Sequence, residues 1–243
     1  MKPEQTYTAW MDHWMQSRDV PLWGAADIRS LTRLPPLSDK GLPSAISWAV
    51  AMQPDIMAGI QKGPTQAYAQ AYTTVNLRIN EIAGQLAADI GDQGFQAVAL
   101  AASERTDPVN IRGDFPHKTA ATLAGIGWVG RHCQLVTRQF GPWVRLGTVF
   151  TNMPVRCCGK PLTRSFCGSC RACVDACPAG ALTGKNWYPG IAREEILNPG
   201  ACDQWKKTQY YAFNNGHNCG ICSAVCPYGL RYLKRVSGEQ YRS

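Results

Sequence analysis

Near the N-terminus Tyr7, Trp10, Met11, Trp14 and Met15 recur at i, i+3, i+4, i+7 and i+8, which predicts a helix with one aromatic, core-facing side. The segment LTRLPPLSDKGLPS (31–44) is rich in Pro and Ser and predicts irregular connection. Ile46, Trp48, Val50 and Met52 then alternate with Ala45, Ser47, Ala49 and Ala51, the period of a strand closely covered on its small face. The strongest periodicity lies at 65–90. There Tyr68, Tyr72, Val75, Ile79, Ile82, Leu86 and Ile90 share one helical face, with Pro64 in the first-turn region and Gly91 at the end. At 1.5 Å per residue this helix is about 39 Å long, enough to cross a small domain.

After Gly94 the run FQAVALA predicts a central strand. In RGDFPHKTAATLAGIGWVGRHC (112–133), Asp114 is expected to cap a short helix with Pro116 in its first turn and Gly125 closing it. Gly125, Gly127 and Gly130 then crowd around Trp128. Because the helix precedes these glycines, this is not the turn of a dinucleotide-binding fold; they let the backbone approach a cofactor or a neighbouring element closely. CQLVT (133–137) and WVRLGTVFT (143–151), joined by RQFGP, predict a hairpin. A strand, a long helix and another strand in succession indicate an α/β or α+β layer structure.

With 243 residues the chain has room for one large domain or two smaller ones. The cysteine-rich C-terminal segment has too few other apolar residues to carry a core for the whole. The expected division is therefore an α/β domain at 1–155 and a second domain at 156–243. No run of eighteen apolar residues predicts a membrane span, and MKPEQTYTAW carries no apolar leader, so a cytoplasmic location and no disulfides are expected.

The cysteines fix the chemistry of the second domain. Cys167, Cys170, Cys173 and Cys177, followed by Pro178, read C-x2-C-x2-C-x3-C-P, the bacterial ferredoxin run for a [4Fe-4S] cluster. Cys219, Cys222 and Cys226, followed by Pro227, repeat it with the first ligand moved upstream to Cys202. In two-cluster ferredoxins the fourth cysteine of a run ligates the other cluster. The expected sets are therefore Cys167, Cys170, Cys173 and Cys226 for one cluster, and Cys177, Cys202, Cys219 and Cys222 for the other. Zinc could use eight thiolates, but its separated C-x2-C pairs do not call for this run twice. Of the remaining cysteines, Cys133 reads as a small buried hydrophobe, and the vicinal pair Cys157-Cys158 either as the same or as a redox or metal-capturing pair. Net charge is +8, but two oxidised clusters at −2 each bring it to about +4. The basic residues beside the motifs, Lys160, Arg164 and Arg171, are read as compensating an anionic cofactor, and no nucleic-acid partner is expected.

AGIGWVGRH (124–132), CGSCRACVDACPAGAL (167–182) and CGICSAVCPY (219–228), in this order, resemble epoxyqueuosine reductase and its iron–sulfur relatives, which include corrinoid reductive dehalogenases. The resemblance covers roughly residues 40–232. It implies a nitroreductase-like N-terminal domain holding cobalamin or another corrinoid, ranked above flavin, with Gly125, Gly127, Trp128 and Gly130 as cofactor-binding candidates. It also implies two [4Fe-4S] clusters supplying electrons for reduction of a small-molecule substrate, and a redox partner protein. The family's proton-donating aspartate falls on Ile111 here, leaving Asp114 and His117 as catalytic candidates from shifted places. The Y-A-R-G and D-Y-H pattern of the family is absent after Tyr68-Ala69, and seventeen residues after Cys226 leave no room for its helical-repeat domain. The alternative is an electron-transfer module that serves a partner enzyme and has no reaction of its own.

Overall fold

The computed structural model describes residues 3–29, 31, 41–156 and 159–238, which form two compact units. The first comprises the described residues within Met1–Val50, Val75–Ile126 and Arg145–Leu162; the second, those within Ala51–Thr74, Gly127–Val144 and Thr163–Ser243. Most of the predicted connection at 31–44 and the Cys157-Cys158 pair lie outside the described residues.

The first unit is a mixed helix-and-sheet layer structure. A four-stranded sheet has the order β1-β2-β6-β3, from β1 (Leu22–Asp27), β2 (Ser44–Ala51), β3 (Ala97–Leu100) and β6 (Val144–Thr151). β1 runs antiparallel to β2 with Trp23 opposite Trp48, and β3 antiparallel to β6 with Val98 opposite Phe150. The alternation of β2 does what its sequence predicts. Ile46, Trp48 and Val50 enter a core with Met11, Trp14 and Met15 of α1 (Pro3–Gln16) and Ile79, Ile82, Leu86 and Ile90 of α3 (Gln66–Asp92). On the other face Ala45 packs with Phe115, Phe150 and Ala120, the last from α4 (His117–Leu123). A Cβ on Gly24 of β1 would lie 2.8 Å from the Ala124 carbonyl, which shows how closely that face is covered.

α3 begins with a cap from Thr65, whose hydroxyl accepts the Tyr68 amide at 3.2 Å. It ends later than Gly91: Gly94, at φ +83°, donates to the Gly91 carbonyl while Phe95 donates to Ile90, a Schellman closure. α4 closes the same way, with Gly125 at φ +77° donating to Thr122 and Ile126 to Ala121, as its glycine predicts. Its start differs from expectation. Pro116 is the N-cap, without a side-chain bond, and Asp114 stays exposed on the preceding loop.

The predicted 133–151 hairpin does not form. β5 (Leu135–Thr137) instead pairs antiparallel with β4 (Gly127–Val129), while β6 joins the four-stranded sheet. This two-stranded ribbon belongs to the second unit, with short helices α2 (Pro54–Ala58), α5 (Ala172–Asp175), α6 (Arg193–Ile196), α7 (Pro199–Gln209), α8 (Ile221–Ala224) and α9 (Pro227–Val236). Its packing centres on Trp143, fully buried, whose indole N–H donates to the Ser223 carbonyl at 2.8 Å. Gly229 of α9 lies flat against that ring: a Cβ there would be 2.4 Å from Cε2. Among the described residues no helix is long and apolar enough to cross a membrane.

Candidate metal centre

Each cysteine of the two runs is presented by a turn or a helix end, where backbone direction changes fastest. The Cys170 amide donates to the Cys167 carbonyl at 3.0 Å, and Cys173 sits one residue into α5. Arg131 clamps this loop from β4's side of the unit, donating to the Gly168 carbonyl at 2.6 Å and to Asn186 at 2.9 Å. After Cys177, Pro178 turns the chain and the Gly180 amide closes back on the Cys177 carbonyl. Asn198 caps α7 by accepting the Ala201 amide at 3.0 Å and so fixes Cys202 in the helix's first turn. Gly220, at φ +83°, starts α8 between Cys219 and Cys222, and Cys226 is the N-cap of α9 with Pro227 in its first turn.

The structure brings thiols of the two expected sets near one another. Cys167, Cys170, Cys173 and Cys226 line one cavity of about 260 Å³, together with His132, Phe166, Tyr228 and Arg231. Burial pushes the Cys173 thiol up to about 12, helped by Cys226, Cys167 and Cys170 beside it. Cys226 is raised to about 11 by burial, with Cys167 and Cys170 adding and the Tyr228 and Gly229 amides opposing. In the other set burial raises Cys219, with Cys202 and Cys177 adding and the Ile221 amide opposing. Burial, Cys219 and Cys202 raise Cys222. Cys173 and Cys177 also raise Cys222.

The donor set fits iron–sulfur clusters. A single zinc ion draws its sulfurs to about 2.3 Å from one point. Here the four thiols of the first set surround a chamber of about 260 Å³. Aromatic walls complete it. Trp128 stands edge-on to Phe166 at 5.1 Å and to Tyr228 at 4.9 Å, and the Tyr228 hydroxyl donates to the Phe166 carbonyl at 3.2 Å. His132 is buried and accepts the Gln134 amide at Nδ1, so its neutral ring carries the proton at Nε2. Sequence reasoning did not single out His132, Phe166, Tyr228 or Arg231. The signal was available only as adjacency, each lying within five residues of a ligand or of the glycine loop.

His117 pairs Nδ1 with the Thr148 hydroxyl at 2.9 Å and Nε2 with the Ala101 carbonyl at 3.2 Å. A carbonyl only accepts, so Nε2 carries the proton. Desolvation, with Arg145 adding and the Ala101 carbonyl opposing, lowers the ring's pKa to about 4 and keeps it neutral at pH 7. Asp114 is exposed. Of the glycine loop, Gly127 approaches the Val136 carbonyl, with a virtual Cβ at 2.3 Å, and Gly130 approaches the His132 ring at 2.8 Å. Gly125 approaches Gly159 and Lys160 at 2.9 Å, so all three close approaches are to neighbouring protein elements. Trp128 is buried, and Cys133 is buried at φ +63°.

Residues 166–229 match the family described as a 4Fe-4S double cluster binding domain. The particular relatives are reductases. The chain is 35% identical over 127 residues to epoxyqueuosine reductase of Listeria monocytogenes, covering 48% of this chain and 30% of that one. It is 38% identical over 116 residues to tetrachloroethene reductive dehalogenase of Sulfurospirillum multivorans, covering 44% and 22%. Its fold is that of a solved reductive dehalogenase whose mechanism is described as B12-dependent (TM-score 0.70, 19% identity, 94% of this chain and 32% of that one). An epoxyqueuosine reductase bound to a tRNA stem loop shares it too (TM-score 0.61, 18% identity, 93% and 66%). The chain thus spans less than half the length of the curated relatives it matches. That second structure leaves the expectation against a nucleic-acid partner without support.

Proposed function

We propose that the chain is an iron–sulfur reductase in which Cys167, Cys170, Cys173 and Cys226 hold one [4Fe-4S] cluster and Cys177, Cys202, Cys219 and Cys222 a second. The clusters deliver electrons to a corrinoid, or to another cofactor, in a nitroreductase-like N-terminal domain, and an unidentified small substrate is reduced there. The observation that carries the reading is the placement of Cys167, Cys170, Cys173 and Cys226 around one cavity, while Cys177, Cys202 and Cys219 lie near enough to Cys222 to raise its thiol. The clusters supply one-electron chemistry at low potential. The chain's own contribution is to hold the thiols and to exclude water with the packed rings of Trp128, Phe166 and Tyr228. A corrinoid would supply the bond-breaking chemistry, as in the B12-dependent structural relative, and the protein would orient it.

The second reading is an electron-transfer module for a partner enzyme. It is favoured by where the family match falls, on residues 166–229 and so on the cluster segment alone. Protein purified without oxygen from cells supplied with cobalamin, analysed for iron, sulfide, cobalt and flavin, separates the two. About eight irons with about one cobalt per chain supports the corrinoid reductase. Eight irons with neither cobalt nor flavin transfers the function to the module. Fewer than two clusters refutes both.

A further inference from the structure

Buried polar atoms in folded proteins almost always find a partner, so an orphan beside a cofactor site points to an acceptor that the polypeptide does not supply. In the second unit Asn218 lacks a partner at both Nδ2 and Oδ1, and Trp205 and Trp128 lack one at Nε1. Trp128 is in T-shaped contact with Phe166 and Tyr228, and aromatic faces are weak acceptors of an N–H. Asn218 and Trp205 have no such rings assigned to them.

Both are tied to the second thiol set. Asn218, 1% exposed, immediately precedes Cys219. Because both of its amide atoms lack a partner, exchanging O and N by a flip leaves the nitrogen equally unsatisfied. Trp205 follows Cys202 by three residues on α7, the spacing that puts two side chains on one face a turn apart. We infer that the Asn218 amide and the Trp205 indole N–H donate hydrogen bonds to sulfur of the cluster held by Cys177, Cys202, Cys219 and Cys222, and so raise its reduction potential. Reduction adds negative charge to the cluster, and an N–H dipole aimed at sulfur stabilises that charge more than it stabilises the oxidised form. The two are positioning groups for the electron, and they act on one cluster only. The inference rests on the ligand assignment proposed above.

The test uses the whole holoprotein, prepared anaerobically, with iron analysis first. In EPR-monitored redox titrations, Asn218→Leu and Trp205→Phe each lower one of the two midpoints and leave the other unmoved. A tenfold loss in that cluster's reduction equilibrium corresponds to ~59 mV for one electron. Unaltered protein carrying ¹⁵N-indole tryptophan shows ¹⁵N hyperfine coupling to a reduced cluster, and Trp205→Phe abolishes it. The label decides the matter even where Asn218→Leu fails to assemble its cluster. Two intact clusters with both midpoints unmoved in Trp205→Phe, or with no ¹⁵N coupling, overturn the inference while leaving the ligand assignment standing. Fewer than two clusters in unaltered protein overturns the assignment itself.

Discussion

Gly229→Ala isolates how the second unit positions its thiols. Gly229 lies inside α9, where replacing glycine by alanine ordinarily gains up to about 1 kcal/mol. Here the new Cβ would sit 2.4 Å from Trp143 Cε2 and 2.5 Å from Nε1, whereas ordinary contact begins at 3.4 Å. The ring or the helix must therefore move by about 1 Å (3.4 less 2.4). Neither moves freely. Trp143 is fully buried and bonded to the Ser223 carbonyl, and on the other side Gly141 already crowds the Gly229 backbone, a Cβ at Gly141 lying 2.4 Å from the Gly229 nitrogen. Overpacking of this kind costs about 1–3 kcal/mol, so the net effect is a loss of up to about 2 kcal/mol, felt where Cys222 and Cys226 are held. With a urea slope of about 1–3 kcal/mol per molar, the midpoint for anaerobic loss of cluster absorbance falls by about 1 M. Gly84→Ala is the control, since Gly84 is exposed on α3 with nothing within 4 Å of its virtual Cβ, and that variant holds or gains stability. A Gly229→Ala midpoint equal to or above that of the unaltered protein would refute the packing argument.

Three further outcomes are expected. Cys177→Ala loses about half the iron while Cys133→Ala keeps it all, read by iron and sulfide analysis, because only the former belongs to a thiol set. His117, with a folded pKa of about 4 against 6.5 unfolded, contributes stability that is fully present above pH 6.5 and lost as pH falls toward 4. This amounts to at most about 3 kcal/mol, so His117→Gln narrows the gap between urea midpoints measured at neutral and mildly acid pH. Gly127→Ala, whose Cβ would lie 2.3 Å from the Val136 carbonyl, opens the β4–β5 ribbon, and amide hydrogen exchange over 127–137 accelerates while that of α3 does not.

What could be read from the sequence was what one element decides alone. The periodicities of α1, β2 and α3 survive because each buries a continuous face, and the short turns that present the cysteines follow from local sequence. What failed depended on a partner. RQFGP has the length and composition of a hairpin turn, yet β5 pairs back with β4, a choice permitted by Gly127 against Val136. β1, LWGAAD, carries no strand-like alternation because Gly24 must admit the Ala124 carbonyl, and its smallness is a packing requirement invisible without α4. Gly91 looked like the end of α3, but the left-handed residue is Gly94, where Phe95 can fold back onto the core beside Ile90. Asp114 had the chemistry of a cap but not the place, since Pro116 occupies it.

The thiols and the arginines of the second unit make sense only together. A Cys173 thiol raised from 9.0 to about 12 is protonated at neutral pH, and a ligand must be a thiolate, so iron has to displace the proton that burial retains. Cluster assembly thereby converts neutral buried thiols into two anionic centres of about −2 each. Four carboxylates of this unit are already committed, Asp175 to Arg171, Glu194 to Arg193, Glu195 to Lys185, and Asp203 to Lys206 and Lys207. Arg231, by contrast, lines the first cavity over the face of Tyr228, while Arg138 and Arg164 lie over Phe166. Their charge is placed where assembly creates its opposite. In the iron-free chain the same thiols retain protons that an unfolded chain would release between about pH 9 and 12, so folding there weakens as pH rises through that window. At neutral pH the arginines then face the neutral thiols of Cys173 and Cys226. Loss of iron therefore removes the ligand bonds and the counter-charge in one step, which couples the folding of this unit to its metal.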